Sequence, residues 1–172
     1  MANINQFKAN LVGAGPRNNR FEVYIPRAGN KIQFLCKTAT LPGQQIEAQE
    51  IKYKGLTIKL AGDRTFENWT VGVYNDTEFS VRNGIEAWMQ DIIPLDSSVG
   101  PTGFDYMVDR ATVSQLGRDD SVLATYEFFN MWPVTLNAID LDSEAGSELE
   151  QFEIEFHIHI LKEADKLLLK RV

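Results

Sequence analysis

The sequence predicts a mainly β protein: two packed antiparallel sheets forming a β-sandwich or barrel, with one flanking α-helix at about residues 77–93. Three observations carry this. Phe152, Ile154, Phe156, Ile158 and Ile160 alternate strictly with Gln151, Glu153, Glu155, His157 and His159, the period of a strand with one buried face. Further short alternating segments are separated by Gly, Pro, Asn and Asp clusters that act as turns. In one segment the period changes: Val81, Ile85, Trp88 and Ile92 recur at steps of four, three and four, the apolar stripe of an amphipathic helix.

The elements follow in chain order. Residues 1–20 read as an N-terminal arm, because Gly13, Gly15 and Pro16 interrupt any regular structure. Phe21–Ile25 alternates and ends at Pro26, a first strand; Ala28-Gly29-Asn30 turns the chain. Lys31–Ala39 reads as a second strand with Ile32, Phe34 and Cys36 on one side, closed by Leu41-Pro42-Gly43. Residues 49–60 read as a hairpin about Gly55, with Ile51, Tyr53, Leu56, Ile58 and Leu60 alternating with Lys52, Lys54, Thr57 and Lys59. Ala61–Arg64 reads as a polar turn, and Trp69, Val71 and Val73 mark the next strand. Asn75 and Glu78 stand at capping-box spacing before the helix, which stops ahead of Pro94. After a loop over 94–104, strands are expected at 105–117, 121–132 and 149–161, the first two joined through Gly117–Asp120. The resulting division is an arm over 1–20, a domain over 21–161 and a C-terminal arm over 162–172, where Leu167, Leu168 and Leu169 suggest a short helix or a packing segment.

Composition bounds the function. A chain of 172 residues, 44% hydrophobic and 24% charged, is long enough for one core without disulfide or metal staples. The single cysteine, Cys36, precludes an internal disulfide and fits folding in a reducing compartment. No apolar run approaches the ~20 residues of a membrane span, and the N-terminal stretch lacks the apolar core of a secretory signal, so neither anchor nor export is expected. Net charge is −7, but residues 1–86 carry +3 and residues 87–172 carry −10. An acidic chain is poorly suited to gripping nucleic acid. Split charge suits self-assembly, the positive face of one copy meeting the negative face of the next, although two solvated faces of a monomer would show the same split.

Motifs for chemistry fail on inspection. Gly13-Ala14-Gly15 opens like a dinucleotide fingerprint, but Asn18 stands where the third glycine belongs. Asp140, Asp142 and Glu144 match the first ligand spacings of a calcium loop, yet Ala145 and Gln151 replace its glycine and closing glutamate. His157 and His159 would share one strand face and could share a metal with Glu153 or Glu155, but a third strong ligand is missing. Cys36 reads as a small core residue rather than a nucleophile. No enzyme, metal or cofactor is expected.

Several segments carry a resemblance: Phe34–Gly43, Leu60–Val71 with its Ala-Gly-Asp-Arg run, Tyr74-Asn75-Asp76, Met131-Trp132-Pro133 and the strand Glu150–His159. In order and spacing over about residues 20–160 they resemble the tail tube proteins of contractile-tailed bacteriophages, to which tube proteins of contractile injection systems and type VI secretion are related. The resemblance implies six-membered rings that stack into the inner tail tube, inside a contractile sheath, between baseplate and tail-terminator proteins. Double-stranded DNA would pass through the bore without specific binding. It also implies a virion protein, assembled in the host cytoplasm.

The family uses the hairpin region and the N-terminal arm between rings. Lys52, Lys54 and Lys59 are therefore the expected interface residues, though lysines on a hairpin also serve simply to protect an edge. Asp63 and Arg64 match the family's motif and are expected to pair at or near a subunit boundary, or locally within a turn. Glu153 and Glu155 are the expected lumen-facing residues, because a neutral or acidic bore lets DNA slide; the alternative is that they face outward. Other readings are a tube subunit of a phage-derived injection system, a tail-completion paralogue, or a monomeric β-sandwich binding a ligand through His157 and His159.

Overall fold

The computed structural model describes residues 4–11, 15–97, 99–142, 146 and 148–163. Two four-stranded antiparallel sheets share one core. The first has the order β1 (Phe21–Tyr24), β6 (Ala111–Leu116), β7 (Val122–Phe129), β10 (Ile160–Glu163). The second has the order β2 (Cys36–Ala39), β5 (Trp69–Tyr74), β9 (Gln151–His157), β8 (Trp132–Leu136). A two-stranded hairpin, β3 (Gln44–Tyr53) with β4 (Leu56–Phe66), pairs with neither sheet. The sheets pack as an open sandwich rather than a closed barrel.

Alternation within the strands decides what is buried. In β5, Trp69, Val71 and Val73 point inward, and in β9 so do Phe152, Ile154 and Phe156. They meet Val23, Val113 and Phe128 from the first sheet in a single apolar cluster. The helix is α3 (Ser80–Ile92), which buries Val81, Ile85 and Trp88 as its stripe requires. Trp88 Nε1–H donates to the carbonyl of Tyr106 at 2.6 Å, so the indole is buried without losing its polar bond.

The chain changes sheet at two corners, and both correct a strand expected to be continuous. The segment 121–132 breaks at Asn130, whose φ of 53° is a left-handed conformation that Asn tolerates; β7 lies in the first sheet and β8 in the second. The segment 149–161 breaks after His157, and β10 crosses to pair with β7 through Ile160↔Phe129. At both corners the inward alternation slips by one: buried Phe128 is followed by buried Met131, and buried Ile158 by Leu161, which packs on the core, while Ile160, expected to face inward, is exposed. The segment 105–117 is a strand only from Ala111.

Three further expectations are corrected. Lys31–Ala39 is not one strand: Ile32–Leu35 forms a single helical turn, α2, with Phe34 N–H and Leu35 N–H both donating to the Lys31 carbonyl. Ile32 and Leu35, three apart, face the core, while Phe34 is 81% exposed. The N-cap position falls on Phe79 rather than on an Asn75–Glu78 box, and the side chain that bonds the helix start is that of Asp76. Its carboxylate accepts the Ser80 N–H at 2.8 Å and the Ser80 hydroxyl at 2.6 Å, while Asn75 donates instead to Glu150. The Ser80 hydroxyl, then the Lys31 ammonium, holds the Asp76 carboxyl down at about 2. Finally, Ala61–Arg64 is no turn but the middle of β4.

At the N-terminus, Ile4–Asn10 forms a short exposed helix, α1. Residues Lys162 and Glu163, expected to begin an arm, belong to β10. The expected leucine segment at 167–169 lies outside the described residues, as do Glu144 and Ala145 of the calcium-like spacing.

Candidate assembly surface

The hairpin continues the β2–β5 pair past the end of the second sheet. Cys36↔Val73 and Ala39↔Val71 are partners in the sheet. Thr40 N–H then donates to the Thr70 carbonyl, Glu67 N–H donates to the Gly43 carbonyl, and Gln44↔Phe66 opens the hairpin ladder. From Gln44 to Thr65 every residue of β3 and β4 is exposed. The tip is a two-residue loop in which Lys54 and Gly55 have φ of 47° and 82°, the positive values that a primed hairpin turn demands.

Register assigns the faces. Ile51↔Ile58, Tyr53↔Leu56 and Gln49↔Leu60 are direct partners, so one face of the outer hairpin is apolar. Leu56 is 71% exposed and Tyr53 60%. The opposite face carries Lys52↔Thr57 and Glu50↔Lys59, with Lys59 Nζ 3.3 Å from Glu50 Oε1. Lys54 sits at the tip with its ammonium over the Tyr53 ring. The three lysines expected at an interface thus sit together on one hairpin. The apolar face behind them is the feature that sequence reading missed: alternation shows that such a face exists, but not that the described residues leave it uncovered.

Asp63 and Arg64 sit beside a β-bulge. Partners run from Ile46↔Arg64 directly to Ala48↔Ala61, so Gly62 and Asp63 together oppose Glu47. A Cβ on Gly62 would stand 3.0 Å from the Glu47 carbonyl, which explains the glycine in the Ala-Gly-Asp-Arg run. Being successive strand residues, Asp63 and Arg64 project to opposite faces, and no ion pair joins them among the described residues.

Glu153 and Glu155 lie on the outer face of the second sheet, Glu153 exposed and Glu155 half-buried. Asn68 Nδ2 donates to Glu155 Oε1 at 3.0 Å, and Asn68 Oδ1 lies 3.1 Å from His157 Nδ1. His157 also packs on Trp132, ring centroids 4.5 Å apart. His159 follows the end of β9 in the bend before β10, so the two histidines do not share a strand face. Among the described residues no group of three His, Cys, Asp or Glu side chains could hold a metal. Burial pushes the Cys36 thiol up to about 12, far from a reactive thiolate.

Folding also gathers Arg17, Arg20 and Arg118 around one depression of about 350 Å³, with Arg20 paired to Asp120 at 2.6 Å. Arg118 stands about a hundred positions from Arg17 and Arg20 in the sequence, so no local pattern could announce the group.

The comparisons agree with this architecture. Residues 4–159 match the family model of the phage tail tube protein. The tail tube protein gp19 of Enterobacteria phage T4 is 31% identical over 140 residues, covering 80% of this chain and 85% of that one. The gp19 of Enterobacteria phage T6 gives the same identity and coverage. Two solved structures share the fold. The sheath–tube complex of an extracellular contractile injection system, in its extended state, has a chain matching at a TM-score of 0.64 and 16% identity, covering 91% and 95% of the two chains. The tube-terminating cap of the anti-feeding prophage has one matching at 0.66 and 17%, covering 87% and 90%. With an uncovered hairpin and relatives that are structural components of virion tails rather than enzymes, this chain belongs to the phage tail tube protein family.

Proposed function

We propose that this protein assembles into six-membered rings that stack as the inner tube of a contractile tail, through which DNA leaves the virion. The observation that carries this reading is the hairpin Gln44–Phe66. A two-stranded ribbon is marginal in water by itself, and this one exposes an apolar face that none of the described residues of its own subunit covers. Membership of the tail tube family supplies the partner: another copy. Lateral contacts repeat head to tail and close into a ring, whereas axial contacts do not close and yield a filament. Sheath, baseplate and terminator proteins are the further partners of such a tube, and assembly takes place in the host cytoplasm.

Lys52, Lys54 and Lys59 are placed between rings, with Asp63 and Arg64 at the subunit boundary at the hairpin base. The arm before Phe21 serves the same contacts. Glu153 and Glu155 are proposed to line the bore. Duplex DNA carries about one charge per 1.7 Å, so a basic wall would hold it and an acidic wall lets it slide.

Negative-stain electron microscopy of the purified protein at high concentration tests the assembly. Open-centred rings and stacks of rings are expected; a uniformly monomeric protein, even with a baseplate seed, would contradict it. In particles carrying Glu153→Lys with Glu155→Lys, tubes should form but DNA ejection should slow. Ejection at the normal rate would remove these residues from the bore.

A further inference from the structure

The depression lined by Arg17, Arg20 and Arg118 is built on a fixed backbone frame at the end of the first sheet. Gln115 Nε2, on β6, donates to the carbonyls of Arg17 and Arg20 at 2.7 and 3.0 Å. Arg20 N–H donates to the Arg17 carbonyl at 3.2 Å, and Leu116 N–H to the Arg20 carbonyl at 3.0 Å. Arg118 sits in the turn between β6 and β7, which Gly117 N–H closes on the Ser121 carbonyl at 2.7 Å. The backbone at all three arginines is therefore placed before any ligand arrives.

The charges there do not balance. Arg20 pairs with Asp120 at 2.6 Å, while Asp119 accepts the Ser121 hydroxyl at 2.7 Å within its own turn. Arg17 and Arg118 are exposed, and neither guanidinium has a hydrogen-bond or ion-pair partner among the described residues. Three guanidiniums against two carboxylates leave a positive charge in excess, in a chain whose net charge is −7. Like charges gathered this way repel until an anion lies between them, and guanidinium forks match a carboxylate with paired hydrogen bonds.

The surroundings favour a protein carboxylate over a phosphate. A hollow of about 440 Å³ lined by the same arginines adds Pro16, Leu116 and Leu123. Apolar walls gain from burying the methylene stem of an acidic side chain, whereas a nucleic-acid backbone asks for charge alone. The hollow also belongs to the first sheet, and the acidic face proposed for the bore belongs to the second.

We propose that this depression receives an Asp or Glu side chain of a second copy of this chain, which Arg17 and Arg118 hold together while Arg20 stays with Asp120. The acidity of the chain argues for that occupant, since every neighbouring copy brings carboxylates in excess. The inference rests on the tube reading and adds a contact built without the hairpin. Depression and carboxylate are different surfaces, as a head-to-tail assembly requires.

Two variants of the full chain test it. Arg17→Glu with Arg118→Glu alters two exposed residues, so the dilute subunit should keep the parent's Tm. At a concentration where the parent assembles, its ring and tube content, read by sedimentation and negative-stain electron microscopy, should fall about tenfold or more. Arg118→Lys keeps the charge, so assembly should persist, and a zero-length carbodiimide should join the new amine to an Asp or Glu of another copy. Peptide mass spectrometry on assemblies mixed from isotopically light and heavy subunits identifies that link. Parent-level assembly by the double variant, or links confined to one chain, would overturn the proposal. So would duplex binding by the parent that the double variant loses while its assembly is unchanged, which would make the ligand a phosphate. If the double variant misfolds, the link formed in Arg118→Lys decides alone. Unsubstituted protein that never forms rings would instead sink the tube reading, a failure distinct from rings that ignore these arginines.

Discussion

The indole of Trp69 stacks on the ring of Phe128, centroids 4.3 Å apart and planes 18° from parallel. Trp69 belongs to β5 and Phe128 to β7, so this pair joins the two sheets, and Phe156 packs on the same indole at 5.6 Å. All three rings are fully buried. Phe128→Ala should cost about 3–5 kcal/mol, the range for deleting a buried aromatic ring. Urea unfolding of the monomer would measure it, and a loss below about 1 kcal/mol would show that the stack does not hold the sandwich together.

Trp69→Phe should be milder, about 1–2 kcal/mol. The Trp69 Nε1–H is buried with no hydrogen-bond partner among the described residues, so its removal offsets part of the lost packing. The same unfolding series should therefore rank Trp69→Phe well below Phe128→Ala. The reverse order would mean that the indole nitrogen is satisfied in solution.

Gly72 is coupled to Thr38. A Cβ at Gly72 would lie 2.3 Å from Thr38 Oγ1, on the outer face of the second sheet. Gly72→Ala should cost about 1–3 kcal/mol by overpacking a χ1-restricted threonine. Adding Thr38→Ala should recover most of that loss, so a double-mutant cycle should show strong non-additivity.

Acid should weaken the Asp76 cap. Its carboxyl is lowered to about 2 in the folded protein, chiefly by the Ser80 hydroxyl, and returns to about 3.8 when unfolded. A depressed folded value means that the stabilisation is complete above about pH 4 and is lost as pH falls through about 2. Asp76→Ala should accordingly lower Tm at pH 7, with the gap from the parent closing as pH approaches 2. A gap that stays constant across that window would assign the effect to something other than this carboxylate.

The hairpin's apolar face should matter for assembly and not for the fold. Ile51→Glu with Ile58→Glu alters two exposed residues directly opposite each other across the ribbon. Monomer stability should change by no more than about 0.5 kcal/mol per site, as for other surface changes. Tube formation should be abolished. Normal tubes from this variant would show that the face stays in water.

The sequence by itself determined the strands with a single buried face and the helix with a single apolar stripe, because period 2 and period 3.6 record which side meets the core. Trp69, Val71, Val73, Phe152, Ile154 and Phe156 needed nothing else. The resemblance carried by Ala-Gly-Asp-Arg and its neighbours likewise gave the family. Only the tertiary structure decided where a strand changes sheet, since the apolar residues run on past Ile158 to Ile160 although the turn there leaves Ile160 exposed and brings Leu161 onto the core. It alone distinguished the helical turn at Ile32–Leu35 from a strand, because four residues satisfy both periods. The same holds for the bulge at Gly62 and Asp63, where a polar run that reads as a turn is instead an irregular stretch of ladder. Above all, alternation fixes that the hairpin has an apolar face, but whether its own chain covers that face depends on long-range packing. Here Ile51, Tyr53, Leu56, Ile58 and Leu60 remain outside the core of the described residues, and that exposure is why the hairpin is proposed as the surface for assembly.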